Sequence, residues 1–232
     1  LLPSESEEAI NTTASIQDFT NGASFNGALI VPVPLTPGVR SVELSITDTV
    51  ATITSPFSLQ STQQAWLGGD LWEGTVTLPK MTRIQASQWI AFLMALRGSA
   101  NCFLIGDPWS CAPQGLPRGV PVVDSSILTN NLPMTSTLVT RGWLANTVRH
   151  LEPGDYIQIG NRLHSLLKRV DSSGTGTATL QIYPSLREQP ADGTPVITHN
   201  AKGLFRLATN KRTWSVDQTR LYGLSFRITE AK

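Results

Sequence analysis

Three histidines, two cysteines and a few aspartates are the residues through which this chain could do chemistry. His150, His164 and His199 are scattered. None stands at ligand spacing from another His, Cys or carboxylate, so the sequence predicts no metal site. Cys102 and Cys111 lack the C-x-x-C spacing of a zinc or redox centre. They read as buried free thiols, with a loop-closing disulfide as the other reading. Asp107, Asp124, Asp155 and Asp192 each lie beside Pro, Gly or Ser, in contexts where a short carboxylate bonds nearby backbone; nothing favours a glycosidase pair among them. Gly174-Thr175-Gly176 has a phosphate-loop composition, but it separates two strand-like runs and opens no helix, so it reads as a hairpin turn. The chain contains no G-x-S-x-G, no H-E-x-x-H and no P-loop lysine. The expectation is a protein without catalytic residues and without a cofactor.

The six tryptophans offer contact rather than catalysis. Trp89 belongs to a helix core, and Trp72 and Trp214 to strand faces. Trp109 and Trp143 fall in loop-like stretches and are the freest, so both are expected at an interface, where Trp is enriched. Tyr222 on the closing strand is the third interface candidate, with a packed core face as its other reading. An exposed pair such as Trp143 with Tyr156 would instead mark a sugar-binding platform.

The elements that must position these residues are mostly strands. Val42, Leu44 and Ile46 alternate with Glu43, Ser45 and Thr47, as a half-buried strand does. Ile53, Phe57 and Leu59 mark further extended pieces, and a Gly-rich turn separates Trp66 from Trp72. One helix stands out. Thr82 and Gln85 form a capping box, Ala86, Trp89, Ile90, Leu93 and Leu96 recur at helical spacing, and Gly98 supplies the stop. Residues 106–134 read as a long Pro- and Gly-rich linker. Short strands then follow at barrel-like spacing over 135–205, with Gly160-Asn161 as a hairpin turn. Tyr222, Leu224, Phe226 and Ile228 line one face of a final long strand. That strand is expected to pair with the first sheet, which makes the barrel an insertion.

Charge is sparse. Charged residues make up 15% of the 232, against about 25% in an ordinary soluble domain, and interface cores are depleted in charge. The net charge of +1 hides a gradient. Residues 1–100 carry 4 Lys/Arg and 8 Asp/Glu, residues 101–232 carry 14 and 9, and the stretch from Lys202 to Lys232 holds 7 basic and 2 acidic residues. The basic residues are spread, so they read as a solvated or partner-facing strand pair rather than a nucleic-acid patch. Residues 1–28 read as an arm that a neighbouring subunit would hold. No signal peptide opens the chain and no run approaches a membrane span, which predicts folding in a reducing cytoplasm with no membrane insertion.

The stretches LPKMTRIQASQWIAFLMALRGSANCFLI (78–105), GWLANTVRHLEPGDYIQIGNRLHSLLKRVDSSGTGTATLQIYPSLRE (142–188) and TWSVDQTRLYGLSFRITEA (213–231) follow in an order that resembles distal tail proteins, and related minor tail proteins, of long-tailed siphophages. The resemblance covers roughly residues 40–232 and lies in layout and texture. Its marked pieces are the Trp-bearing helix with its Arg97-Gly98 end, Pro153-Gly154-Asp155-Tyr156, the turn before Ala178-Thr179-Leu180, and Leu221-Tyr222-Gly223-Leu224. It implies a mainly β protein with one helix. A tail-tube-like β-sandwich or split-barrel belt domain (29–105 and 206–232) would carry an inserted, OB-like small barrel (135–205). It implies a homo-hexameric ring at the distal end of the virion's tail, assembled in the host bacterial cytoplasm. The ring would contact the tail tube protein, the tail hub or baseplate proteins and the tape-measure protein, and DNA would pass through its channel. Contacts of roughly 2,000 Å² or more fit such a permanent assembly. Lys211, Arg212 and Arg220 are expected not to dominate the channel, whose lining falls to the acidic N-terminal half. The alternative is a tail-tip binding module that recognises a host surface glycan or carries a receptor-binding protein or tail fibre.

Overall fold

The structure, a computed structural model, describes residues 23–232. In chain order its elements are β1 (Ser24–Phe25), β2 (Ala28–Leu29), β3 (Ser41–Thr47), β4 (Val50–Thr54), β5 (Ser61–Ala65), β6 (Leu71–Thr77), α1 (Arg83–Ala95), β7 (Cys102–Ile105), β8 (Gly119–Val123), β9 (Thr137–Trp143), β10 (Tyr156–Ile159), β11 (Arg162–Leu166), β12 (Thr177–Tyr183), β13 (Val196–Ile197), β14 (Gly203–Leu207), β15 (Trp214–Val216) and β16 (Tyr222–Glu230). The fold is mainly β with one helix: a larger antiparallel sheet and a six-stranded, nearly closed antiparallel barrel.

The larger sheet runs β3-β6-β16-β14-β7, with β15 also paired to β16. The closing strand therefore joins the first sheet, as its alternation predicts; Phe226 lies opposite Val76 and Phe205 opposite Glu230. Period 2 puts Val76, Leu224 and Ile228 on one face, and α1 covers that face with Ala86, Trp89, Phe92 and Leu93. Edge-to-face rings fix the packing: Trp89 to Phe92 at 5.7 Å and Phe92 to Phe103 at 5.3 Å. The Thr82 N–H donates to Gln85 Oε1 at 3.2 Å, so the capping pair starts the helix where the sequence places it. Arg97 and Gly98 both take left-handed backbone angles after the last turn. A Cβ at Gly98 would stand 2.5 Å from Asn210 Oδ1, so this stop demands glycine for space as well as for φ.

The barrel runs β13-β10-β11-β12-β9-β8, and a bridge between Val122 and Pro195 nearly closes it. Gly160-Asn161 joins β10 to β11 as a two-residue hairpin, with Ile159 opposite Arg162. Leu138, Leu151, Ile157, Leu180 and Ile182 fill the interior. Two boundaries differ from the sequence reading. Strand β8 lies inside the stretch read as a linker. Its Pro121 falls where the β8–β9 register shifts, a bulge that tolerates a missing N–H, and a Pro- and Gly-rich run looks like a loop in sequence. Strand β14 pairs with β16 and β7, so residues 203–205 sit in the larger sheet rather than in the barrel.

Most of the arm read over 1–28 lies outside the described residues. Its last part is a small hairpin, β1–β2, turned by Asn26 and Gly27 at positive φ. Phe25, Ala28 and Ile30 pack on Cys102, Leu204 and Ala231. Both cysteines are free. Cys102 is buried, which pushes its thiol pKa up, whereas Cys111 is exposed in the connecting loop, contrary to the expectation of burial.

Candidate interaction surfaces

The groups that could do chemistry are engaged in structure. His150 accepts the Arg118 N–H at Nδ1 (3.2 Å), which leaves its proton on Nε2 beside Leu144 O and Ser172 Oγ, and its ring packs on Trp143 at 4.7 Å. His164 is buried and donates from Nδ1 to Pro184 O at 2.7 Å. Burial pushes its pKa down to about 4. His199 lies apart, exposed beside Thr198. Among the described residues no three His, Cys, Asp or Glu gather where they could hold a metal ion. Asp107 accepts its own turn's Trp109 N–H, and Asp155 accepts the N–H groups of Gln114 and Glu152, pinning the connecting loop to the barrel. Asp124 and Asp192 flank Arg141 at 2.9 and 2.7 Å, and hydrogen bonding to that guanidinium holds Asp192 down at about 2.

The three candidate interface residues lie in three different settings. Trp109 is 83% exposed in the connecting loop. Trp143 is no loop residue. It ends β9, is 4% exposed, and donates from Nε1 to Thr140 Oγ1 at 2.8 Å. Gly142, at φ +87°, breaks the strand alternation so that Trp143 points inward. Tyr222 is half-buried against the larger core, its backbone paired with Met81. Tyr156 packs on Trp72 at 6.1 Å. Trp143 and Tyr156 thus form no exposed aromatic platform on the barrel.

Three other surfaces stand out. The first is the hairpin β4–β5. Among the described residues it pairs only with itself, and all ten of its strand residues are exposed. It nevertheless presents Ile53 (74% exposed), Phe57 (97%) and Leu59 (80%), with Trp66 and Leu67 at its base. Large apolar side chains left this exposed on one hairpin mark a contact surface. The sequence signal was present as apolar residues on short Ser/Thr/Gln-rich strands, but it reads equally well as half-buried strands.

The second is the face of the larger sheet opposite α1. Glu43, Ser45, Glu73, Thr75, Ser225 and Arg227 share it, and five of the six are exposed. It is hydroxyl-rich and carries two acids, Glu43 and Glu73, against two bases, Arg227 and, towards β7, Arg206.

The third is the junction of barrel and sheet. The Glu230 carboxylate, 5% exposed, receives Arg187 through two nitrogens (2.9 and 2.8 Å), Arg162 at 3.2 Å and the Trp72 N–H at 3.3 Å. Arg187 also donates to the carbonyls of Gly68 (3.0 Å) and Asp70, and Trp72 Nε1 donates to Leu163 O at 2.9 Å. These bonds cross from sheet to barrel and fix one on the other. Among known proteins, no family model matches the chain and no curated sequence matches it.

Proposed function

We propose that this chain is a non-enzymatic structural subunit of a phage tail, a distal tail protein that forms a hexameric ring between the tail tube and the tip. The observation that carries the reading is the free β4–β5 hairpin with its apolar tip. An isolated two-stranded hairpin is marginal in water, and Phe57 and Ile53 gain nothing from exposure; a neighbouring subunit that covers them supplies both support and burial. A heterologous contact of this kind closes into a ring when the rotation allows it. The outer edge of β3 supports the same arrangement, because a sheet edge can continue into the next subunit. The bare hydroxyl-rich face of the larger sheet suits a channel lining. Short neutral side chains, with Glu43 and Glu73 balancing Arg227 and Arg206, offer passing DNA little to hold. Tail tube, hub or baseplate and tape-measure proteins are the partners this reading supplies. The glycan-binding alternative loses the pair that would have favoured it, since neither Trp143 nor Tyr156 forms an exposed platform.

The test is the mass of the protein in solution by light scattering across a range of concentrations. A hexamer, or a monomer that becomes hexameric as concentration rises, is expected. Phe57→Asp with Ile53→Asp should raise the concentration needed for assembly by about tenfold or more, since burying two such side chains contributes a few kcal/mol, while circular dichroism stays unchanged. A wild-type monomer at every concentration would overturn a self-sufficient ring. A smaller prediction concerns the lining: Glu43→Lys with Glu73→Lys should tighten retention of double-stranded DNA by about tenfold at low salt, and the gain should vanish as salt rises.

A further inference from the structure

A cavity of about 370 Å³ lies beneath the loop that joins β14 to β15, against α1 and β16. Lys211, Arg212 and Arg227 line it together with the hydroxyls of Thr75, Thr213 and Ser225, and no carboxylate is among its lining residues. None of the three cations is ion-paired among the described residues. The two acids of this C-terminal stretch are already used: Asp217 holds Lys80 at 2.5 Å, and Glu230 holds Arg187. Among the described residues the cavity is therefore a set of donors and positive charges without a counter-charge. Arg227 also stands on the bare sheet face, where an uncompensated cluster would hold passing DNA.

The opposite charge is at the other end of the chain. Residues 1–22 contain Glu5, Glu7, Glu8 and Asp18 and no Lys or Arg. From Glu8 to Ala23, where the described fold begins, the chain reaches up to about 50 Å when extended. We infer that the Glu5-Ser6-Glu7-Glu8 stretch of one copy docks in the Lys211/Arg212/Arg227 cavity of the next, tying neighbouring subunits and neutralising the cations beside the channel. The choice of the next copy rests on the ring reading. The chain enters the fold at hairpin β1–β2, on the β7/β14 side of the sheet, which a head-to-tail neighbour would face. Charge-assisted hydrogen bonds from two arginines and a lysine suit the closely spaced carboxylates of Glu5, Glu7 and Glu8.

The experiment uses full-length variants and a labelled synthetic peptide of residues 1–22. The variant E5Q/E7Q/E8Q keeps the cavity and loses its own ligand. It should bind the peptide by fluorescence anisotropy, more weakly as salt rises, and adding K211E/R212E to it should weaken binding at least tenfold. Both substituted cations are exposed, so the fold should survive. In assembly, the K211E/R212E chain and the E5Q/E7Q/E8Q chain should each need higher concentrations than wild type, and mixing them should restore part of the loss. Docking within one chain predicts no restoration on mixing and would overturn the intersubunit assignment. Equal peptide binding by both cavities, or retention of a DNA duplex by a cavity that ignores the peptide, would overturn the proposal itself. A wild type that stays monomeric would sink the ring reading, yet the peptide titration would still report on the cavity.

Discussion

Replacing Glu230 by alanine is expected to destabilise the protein by about 3–5 kcal/mol, the usual cost of removing one partner from a buried ion pair. Arg187 and Arg162, at 13% and 20% side-chain exposure, would be left facing each other without the carboxylate that joins them. The Trp72 N–H would lose its acceptor as well. For a chain of this size the loss corresponds to a melting temperature lower by roughly 10 °C. Glu230→Gln should cost less, because the amide oxygen still accepts from one guanidinium while the charge is gone. Because the cluster spans the junction, the effect should also be local. Limited proteolysis should open the two connections between sheet and barrel, around residues 106–118 and 198–202, before either core is cut. Arg187→Ala in the Glu230→Ala background should cost much less than in the wild type, since the two residues act as one unit. Additive losses in that cycle would refute the latch.

Lowering the pH from 7 to 4 is expected to remove about 3 kcal/mol through His164 alone. Its imidazole is buried, and desolvation pushes its folded-state pKa from 6.5 down to about 4. The unfolded chain takes up the proton near 6.5 and the folded chain only near 4. The stabilisation is therefore complete above pH 6.5, declines as pH falls, and is lost by about pH 4; a gap of about 2.5 units at 1.36 kcal/mol each sets the size. His150, lowered in the same direction by burial, adds to the slope. The carboxylates act in a different window. Asp192 and Asp217 are held below their ordinary value by hydrogen bonds from Arg141 and Lys80, so their contribution is lost only below about pH 4. Urea unfolding at half-unit pH steps should show His164→Gln with a visibly flatter profile between 6.5 and 4 and an unchanged slope below 4. Parallel profiles for variant and wild type would show that His164 does not titrate as its burial implies.

Local patterns were legible wherever neighbouring residues alone decide the outcome. The capping pair Thr82 and Gln85, the helical recurrence through Trp89 and Leu93, the turns at Gly160-Asn161 and Gly174-Thr175-Gly176, and the alternation from Tyr222 to Ile228 each specify an element, because the backbone period and the turn angles are properties of a few adjacent residues. They also implied the class, one helix among many short strands, and the return of the last strand to the first sheet.

Only the tertiary structure decided which faces and which partners those elements meet. Trp143 reads as a loop residue until Gly142 breaks the alternation and turns the indole into the barrel. Strand β8 is hidden by Pro121 until the bulge against β9 accommodates it. The hairpin β4–β5 carries apolar residues that in sequence look half-buried, and its exposure follows from its standing, among the described residues, with no other strand beside it. Glu230 at the end of an alternating strand looks like an ordinary solvated acid, yet its partners are Arg187, Arg162 and Trp72, distant in sequence and brought together only when barrel meets sheet. Periodicity fixes where a side chain points relative to its own backbone; what stands on the other side is fixed by long-range packing, for which a local pattern holds no record.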